Sequence, residues 1–385
     1  MFPVVDDCEA HDEVKGGRIL LASGATQRAP HLQVTRNQAQ FMDAPFARRV
    51  PAFAAGILIV LCMLPVQQAL AWGANGHRMI GRLAMAALPA ELPAFLRTPE
   101  VAESIGELGR EPDRSRGAGN SHDHDLDPGH YIDLTDDFFV ADKIGIDPLP
   151  LTREDYDTAL RSEGRNEYRL GFLPYSIVDG WQQLRMDFAY WRADVAAERL
   201  TASETERAWF ASDRRLREMI ILRDLGYWSH FVGDASQPMH VSIHHDGWGD
   251  YPNPRGYTAT RGFHAAFEGM YVVRYIRPED VAKRLRPSRD CECSIQAATL
   301  TYLRATHSQV LPLFELEKTG AFTAESTAGR DFVAERLAAA VSELRDMIVS
   351  AWRTSDELTV GYPRLPLRDI EAGKINPIDQ MRGLD

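Results

Sequence analysis

Five long segments of this chain carry apolar side chains at helical spacing, and the few runs that alternate as strands do are short. The helical segments are residues 76–88, 170–190, 214–234, 262–275 and 328–352. Residues 117–129 and 246–257 are rich in proline, glycine and aspartate, which is typical of loops between helices. Because the pattern contains no strand–helix–strand alternation, it predicts an all-α fold: one compact multi-helix domain with long loops.

The composition fits a domain that is stabilised by its own core. Of 385 residues, 44% are hydrophobic and 25% are charged, and four cysteines are too few for a disulfide framework. Acidic residues outnumber basic ones by 55 to 43, and the net charge of −12 argues against a basic surface built to bind nucleic-acid backbone. Phosphate chemistry remains compatible with this charge, because bound metal cations would dominate the local field.

The N-terminal part of the chain has the pattern of a secretory signal. Two arginines at positions 48 and 49 precede an apolar run from Ala52 to Val66, and an A-x-A cleavage motif ends at Ala71. The run is 15 residues long, whereas a helix that spans a membrane needs about 20. We therefore expect residues 1–71 to be an extension and signal peptide that is removed, with a membrane anchor as the alternative.

Cleavage there would make Trp72 the N-terminal residue of a secreted or periplasmic protein with no integral membrane association. Signals normally begin close to the initiator, and Met42 would give a signal of 30 residues, so we expect translation to begin at Met42 rather than Met1. Residues 72–356 would then form the domain. Residues 357–385, with several prolines, glycines and charges, are expected to be a loose tail.

Histidine and carboxylate pairs at four-residue spacing mark candidate metal ligands. His230 and Asp234 would lie on one face of a helix, and His264 and Glu268 repeat the spacing. Such a pair alone is more often a surface feature, but His230 and Asp234 are surrounded by apolar residues. A buried imidazole and carboxylate need partners that offset their desolvation, and a metal ion would be one.

Four further residues extend this set. His240 follows the proline that ends the helix, and the others are His77 in WGANGH, Asp113 in REPDRS and His130 in GHYID. Imidazole and carboxylate donors without thiolate suit Zn²⁺, with manganese or iron less favoured. The set exceeds what one tetrahedral ion needs, so it predicts two or three ions. Clustered zinc ions suit the hydrolysis of phosphate esters.

Four motifs occurring in this order, WGANGH, HYID, HFVGDASQPMH and FHAAFE, resemble those of the three-zinc phosphodiesterases. This family includes the single-strand-specific nucleases of the S-one/P-one type and the bacterial zinc-dependent phospholipases C. The resemblance covers most of the chain from residue 72 to about residue 352 and implies three zinc ions per chain. In the family, the α-amine and carbonyl of an N-terminal tryptophan are zinc ligands, so cleavage before Trp72 would have a chemical purpose.

Carried over by position, the resemblance implies three ligand sets. These are Trp72, His77 and Asp234 for one zinc; Asp113, His130, His230 and the bridging Asp234 for its neighbour; and His240, His264 and Glu268 for the third. The implied mechanism is in-line attack on phosphorus by a hydroxide between the two ions that Asp234 bridges. Arg116 stands where the nucleases place an arginine that binds phosphate, so the resemblance implies catalytic roles for Asp113, Arg116 and Asp234; the alternative for Arg116 is a solvated loop charge.

Other residues bear on the substrate. Glu268 resembles the phospholipases, but the short separation of Trp72 from His77 and the long one between His240 and His264 resemble the nucleases. In the nuclease pattern, Tyr131 would stack on a base and Asp133 would bind the edge of that base. The alternative is that Tyr131 belongs to the core and Asp133 caps a turn.

The resemblance thus implies a secreted zinc-dependent phosphodiesterase, a hydrolase acting on single-stranded DNA or RNA and on 3′-nucleotides, with no stable protein partner. A phospholipase C acting on phospholipid headgroups and a non-catalytic zinc-binding protein are the alternatives. The remaining histidines are in hydrophilic segments and are expected to be less important; they are His122, His124, His244 and His245. Cys291 and Cys293 are expected to be either free thiols or oxidised to each other.

Overall fold

The computed structural model describes residues 72–383; the predicted signal peptide and the proposed start at Met42 lie outside the described residues. The α-helices are α1 (Gly73–Ala86), α2 (Pro99–Leu108), α3 (Glu111–Arg114), α4 (Asn120–Leu126), α5 (Arg153–Ser162), α6 (Glu167–Leu170), α7 (Leu173–Leu200), α8 (Glu204–Asp234), α9 (Phe263–Ala265), α10 (Val272–Tyr275), α11 (Pro278–Ala282), α12 (Ile295–His307), α13 (Val310–Lys318), α14 (Thr327–Thr354), α15 (Leu367–Glu371) and α16 (Ile378–Arg382).

Other regular elements are short. The strands are β1 (Phe139–Val140), β2 (Ile144–Gly145), β3 (Thr359–Val360) and β4 (Leu365–Pro366), and each successive pair is antiparallel. The 3₁₀ turns are Ala94–Arg97, Asp127–His130, Pro238–Val241 and Ser355–Glu357, and a π-helical segment, Ala266–Tyr271, joins α9 to α10. The all-α prediction is therefore confirmed. Between residues 72 and 383, no helix is both long and apolar enough to cross a bilayer.

The two longest neighbouring helices, α7 and α8, form the centre of the fold. Only three residues, 201–203, separate them, and so short a connection makes them antiparallel neighbours. Ser203 caps α8 by accepting a hydrogen bond from the backbone N–H of Glu206. Helix α14, buried over most of its length, packs against α1, α7 and α8. The last turns of α8 are thereby placed inside the core.

A proline determines where α8 ends. Pro238 has no N–H to donate, and the residue before a proline is disfavoured in helical conformation. Gln237 is accordingly extended, with φ −88° and ψ 115°, and the chain then makes the 3₁₀ turn that carries His240. This reversal brings His240 back towards His230 and Asp234.

The C-terminal segment is folded, so the expectation of a loose tail is wrong. Strands β3 and β4 and helix α15 pack on α7. The buried side chains of this contact are Ala189, Ala193, Ala196, Val360, Leu367 and Ile370. Arg192 on α7 also pairs with Glu371, with 2.7 Å between Nε and Oε1. Three further apolar residues of the segment, Leu358, Leu365 and Met381, are partly buried against this contact, and prolines, glycines and charges separate them in the sequence.

The predicted loops are confirmed in part. Residues 246–257 form turns and irregular structure, as expected. Residues 117–129 are not wholly loop, since they contain α4 and most of the 3₁₀ turn that ends at His130. Helix α4 buries none of its side chains, so it has no apolar face that a pattern could reveal. Cys291 and Cys293 form a disulfide bond.

Candidate metal centre

The structure brings eight of the predicted ligand side chains together in three groups. The groups are His77, His230 and Asp234; Asp113, His130 and His230; and His240, His264 and Glu268. Within each group, one ligand atom from every residue lies within 4.8 Å of the others. Asp113 is half-buried and the other seven side chains are buried. Because His230 belongs to two groups, those two groups adjoin.

The carboxylate of Asp234 lies between two imidazoles. Its Oδ1 is 3.4 Å from Nε2 of His77, and its Oδ2 is 3.3 Å from Nε2 of His230. Donors about 2.0–2.2 Å from one tetrahedral ion lie roughly 3.3–3.6 Å apart, so both spacings match donors that share an ion. A Cβ at Gly233 would lie 3.1 Å from Nδ1 of His77, and glycine there lets the ring pack on α8. The two oxygens of Asp234 thus face the two imidazoles of its own group, one of which, His230, is shared with the second group.

Asp113 is the carboxylate of the second group, as Asp234 is of the first. Its Oδ1 is 3.9 Å from Nε2 of His130 and 3.8 Å from Nε2 of His230. Nη1 of Arg116 lies 3.6 Å from the same oxygen, and Nε of Arg116 lies 2.9 Å from Oδ1 of Asp127. Arg116 is therefore beside the centre and held by a carboxylate, which does not support a purely solvated loop charge.

The third group is built from the turn after α8, from α9, and from the π-helical segment that follows α9 and carries Glu268. Nε2 of His264 is 2.6 Å from Oε2 of Glu268 and 3.1 Å from Nε2 of His240. Gln237 donates its side-chain N–H to Oε2 of Glu268 at 3.2 Å. Since Gln237 precedes the proline that ends α8, the same turn positions both His240 and the carboxylate of Glu268.

Backbone carbonyls orient three of the imidazoles. Nδ1 of His230 lies 2.8 Å from the carbonyl of Gly109, Nδ1 of His240 lies 2.7 Å from that of His130, and Nδ1 of His264 lies 2.6 Å from that of His245. A carbonyl can only accept, so in each case Nδ1 carries the proton and the lone pair of Nε2 faces the centre. This arrangement is usual for histidines that bind a metal.

Several buried polar atoms of the centre have no hydrogen-bond partner among residues 72–383. They are Oδ1 of Asp113, Nδ1 and Nε2 of His130, Nε2 of His230, Oδ1 and Oδ2 of Asp234 and Oε1 of Glu268. Buried polar groups are rarely left without a partner, because the desolvation cost is high. Metal ions would complete these donors. The donor set therefore fits metal ions, and nitrogen and oxygen donors without sulfur suit zinc.

The pKa shifts favour the metal-binding forms of several of these groups, whereas three others are shifted towards protonation. Burial alone would lower the pKa of His230 and His264, but the carboxylates of Asp234 and Glu268 outweigh it and raise both, and burial raises the pKa of Glu268. Burial lowers the pKa of His130 well below its usual value and lowers the pKa of His240 to about 3, so both rings are neutral at physiological pH. Burial alone would raise the pKa of Asp234, but the nearby imidazoles of His230 and His240 outweigh it and hold that pKa well below its usual range. Neutral imidazole and ionised carboxylate are the forms that bind a cation.

Trp72 lies against two segments that carry ligands. Its side chain is buried, and its indole N–H donates to Oγ of Ser236 at 2.7 Å, two residues after Asp234. Its ring centroid is 5.6 Å from that of Phe267, which adjoins Glu268. The beginning of α1 is therefore held beside the centre.

Tyr131 and Asp133 lie on one face of an extended segment. Ile132 and Leu134, which alternate with them, are buried in the core. The backbone N–H of Ile132 donates to the carbonyl of His240 at 2.9 Å. Tyr131 and Asp133 are half-buried, and burial raises the pKa of Asp133 to about 7. The segment thus presents an aromatic ring and a carboxyl group together, one and three residues from His130.

Two residues near the centre were not identified correctly from the sequence. His244 is buried, not part of a hydrophilic loop: its ring stacks on Trp248 at 3.6 Å, and its Nε2 is 3.0 Å from Oδ1 of Asp136. Asp246 accepts hydrogen bonds from the backbone N–H groups of Gly262 and His264, a role that its place in the predicted loop at residues 246–257 did not indicate. An aspartate followed by glycine at the start of a loop is a signal that favours such local bonding.

Comparison with known proteins identifies no family for this chain. No family model matches it, and no curated protein matches it. Among solved structures it is similar to the alpha-toxin of Clostridium perfringens from an avian strain, with 12% identical residues and a TM-score of 0.36. The match covers 76% of this chain and 69% of the other. A likeness at this level identifies neither a family nor an activity.

Proposed function

We propose that residues 72–356 form a zinc-dependent phosphodiesterase that hydrolyses single-stranded DNA or RNA and 3′-nucleotides. The observation that carries this proposal is the pair of oxygens of Asp234, which face the imidazoles of His77 and His230 at 3.4 and 3.3 Å. All three residues belong to one group, and His230 also belongs to the neighbouring group of buried donors with Asp113 and His130. The third group lies alongside, with Nδ1 of His240 4.0 Å from Oδ2 of Asp234. Clustered dications supply the charge that stabilises phosphate oxygens and the acidity that activates water.

Each group would hold one of three zinc ions. By the ligand sets that the resemblance implies, His77, Asp234 and the N-terminal amine and carbonyl of Trp72 would hold the first; Asp113, His130, His230 and Asp234 the second; and His240, His264 and Glu268 the third. In the structure the first group also includes His230, and the second consists of Asp113, His130 and His230. Arg116, beside Asp113, would bind a phosphate oxygen of the substrate. Asp113 and Asp234 would act in catalysis as carboxylate ligands of the ions that activate water. The hydrogen bonds from Nδ1 of three imidazoles to backbone carbonyls fix the orientation of those rings.

The face formed by Tyr131 and Asp133 supports a nucleic-acid substrate. A base could stack on Tyr131 while Asp133 binds its edge, and a carboxyl group with a pKa of about 7 can accept or donate a hydrogen bond near neutral pH. A single strand can present an unstacked base, whereas a duplex cannot. The net charge of −12 also disfavours long contacts with duplex backbone.

Replacing Tyr131 with alanine tests this substrate assignment. Stacking contributes about 1–3 kcal/mol per base, so KM for a dinucleotide should rise roughly tenfold. Hydrolysis of bis-(4-nitrophenyl) phosphate, which has no base, should change much less. The measurement is steady-state kinetics on both substrates with zinc-loaded protein.

A matched control for this variant is Tyr362→Ala, because Tyr362 is 82% exposed on the hairpin of β3 and β4. It should leave both substrates unaffected. Equal losses on both substrates in the Tyr131 variant would show that Tyr131 supports the metal centre and does not bind a base.

The second candidate is a zinc-dependent phospholipase C, which Glu268 in the third group favours. Release of phosphocholine from vesicles of phosphatidylcholine, with no release of nucleotides from RNA or single-stranded DNA, would establish it. A zinc-loaded protein that hydrolyses none of these, nor bis-(4-nitrophenyl) phosphate, would be the non-catalytic zinc-binding protein.

Processing before Trp72 provides a separate test. N-terminal sequencing of secreted or periplasmic protein should begin Trp-Gly-Ala-Asn. A protein that retains one residue before Trp72 should bind about one zinc fewer and lose most of its activity, because the α-amine is then an amide and cannot act as a metal ligand. Full activity of such a protein would exclude the amine as a ligand. Deleting residues 1–41 should leave export unchanged if translation begins at Met42.

A further inference from the structure

The loop between His240 and His264 has a small aromatic core of its own. Buried residues of this core are Trp248, Tyr257, Val310 and Phe314, with Phe263 packed against them. Trp248 also stacks on His244, whose Nδ1 lies 3.0 Å from the carbonyl of Trp248. Two ligands of the third group, His240 and His264, therefore lie at the two ends of a loop that is stabilised by side chains outside the metal centre.

Asp246 ties the two ends of this loop together. Its Oδ1 accepts hydrogen bonds from the backbone N–H of Gly262 at 2.8 Å and from that of His264 at 3.3 Å, and its Oδ2 lies 3.1 Å from the same N–H of Gly262. The neighbouring carbonyl of His245 lies 2.6 Å from Nδ1 of His264. Two successive residues thus hold both the backbone and the ring of His264.

Glycine is needed where the two loop ends approach. Gly247 has φ +87°, and a Cβ there would lie 3.0 Å from the carbonyl oxygen of Thr260. Gly262 has φ +90°, a conformation that favours glycine. The backbone N–H of Trp248 donates to the carbonyl of Thr258 at 2.7 Å. These contacts place Asp246 directly opposite the N–H groups it binds.

We propose that Asp246 is a positioning residue for the third group, which holds His264 in reach of His240 and Glu268 before an ion binds. The inference rests on the proposed metal centre. Bringing the two ends of this loop together reduces the conformational entropy of the chain. The hydrogen bonds to Asp246 offset part of this entropy loss before a metal ion binds. The other two groups draw their ligands from α1, α8 and residues 113–130, outside the loop. Loss of Asp246 should therefore lower the affinity for the ion of the third group and leave the binding of the other two ions unchanged.

The test is zinc binding by Asp246→Ala in the full-length mature protein, measured by competition with a chromogenic chelator. Loss of a group that orients a metal ligand typically weakens affinity by about 10- to 100-fold, and we expect this for one of three equivalents. Cobalt substitution gives a second readout. The absorption band of cobalt bound at the third group should appear only at a higher cobalt concentration in the variant than in the unmodified protein. Asp246→Asn keeps one acceptor oxygen and should restore most of the affinity.

The matched control is Asp250→Ala, which removes the same charge from the same loop. Asp250 is exposed, and no hydrogen bond or ion pair joins it to another residue in the described part of the chain. This variant should bind three ions as the unmodified protein does. Far-UV circular dichroism establishes that each variant is folded, and if Asp246→Ala is not, Asp246→Leu, which also removes both acceptor oxygens but keeps more of the side-chain volume, takes its place.

The outcomes separate this inference from the proposed function. Equal zinc affinities in the Asp246→Ala and Asp250→Ala variants would overturn the positioning role even if the unmodified protein cleaves nucleic acid. Selective loss of one ion would support it even if no phosphodiester is cleaved. An unmodified protein that binds no ion at the third group would overturn it together with the metal centre.

Discussion

Replacing Asp234 with asparagine is expected to remove metal from the two adjoining groups and to lower phosphodiester hydrolysis by at least about 10³-fold, or about 4 kcal/mol in the barrier. Each oxygen of Asp234 faces a different imidazole, and one of these, His230, belongs to both groups, so the bridging role proposed for Asp234 would affect both. An amide has one acceptor oxygen, and its NH₂ group would point at a cation. Metal content by mass spectrometry and kcat on bis-(4-nitrophenyl) phosphate measure the two effects.

Asp194→Asn is the matched control for this substitution. Asp194 is also fully buried, lies on α7, and belongs to none of the three groups. Burial raises the pKa of Asp194 to about 8, so the carboxyl is mostly neutral at pH 7 and asparagine resembles that form. This variant should keep three ions and its full rate. An Asp234 variant that keeps three ions and loses less than about tenfold in rate would contradict the bridging role.

The three longest helices, α7, α8 and α14, were predictable in part from apolar residues at helical spacing, but α12 was not among the predicted segments, and helix ends depend on other interactions. Helix α8 begins at Glu204, ten residues before the predicted start at residue 214. Its first turns are held by the Ser203 cap and by the ion pair of Arg207 with Glu204, at 2.6 Å. Surface charges and caps stabilise a helix without an apolar stripe, so hydrophobic periodicity does not reveal them.

The ligand pairs that lie four residues apart were predictable from their spacing. The way in which ligands distant in the sequence come together in space was not. Residues four apart share a helical face, which places His230 with Asp234 and His264 with Glu268. The orientation of His230, however, depends on the carbonyl of Gly109, 121 residues earlier in the chain. Contacts of this range follow from packing of the whole fold, and only the resemblance to known motifs suggested which distant residues would meet.

The loop after His240 shows why polar sequence can conceal buried structure. His244 stands in a polar segment, yet it is buried because Trp248, Tyr257 and Phe314 enclose it and its neighbours. Phe314 lies 70 residues further along the chain and has no local signal that connects it to this loop. The positions of His244 and Asp246 were therefore accessible only from the structure.

Removal of metal by EDTA is expected to abolish hydrolysis and to lower Tm by at least roughly 10 °C, the shift that corresponds to the loss of a single ion. An ion at about 1,000 times its Kd stabilises the fold by about 4 kcal/mol per site, and about 2–4 °C in Tm corresponds to each kcal/mol in domains of 150–250 residues. Without cations, three carboxylates and five imidazoles remain packed together, with several polar atoms unpartnered. Differential scanning calorimetry before and after chelation, with zinc content measured in parallel, determines the shift.

The ion that restores stability identifies the site. Zinc should recover both Tm and hydrolysis, since each group contains two imidazoles. Magnesium should not, because it prefers oxygen ligands in octahedral geometry, and these groups offer few oxygens. A melting curve that is unchanged when zinc has demonstrably been removed would refute the metal centre. Recovery by magnesium alone would point to a site dominated by Asp113, Asp234 and Glu268, with the histidines acting as hydrogen-bonding groups.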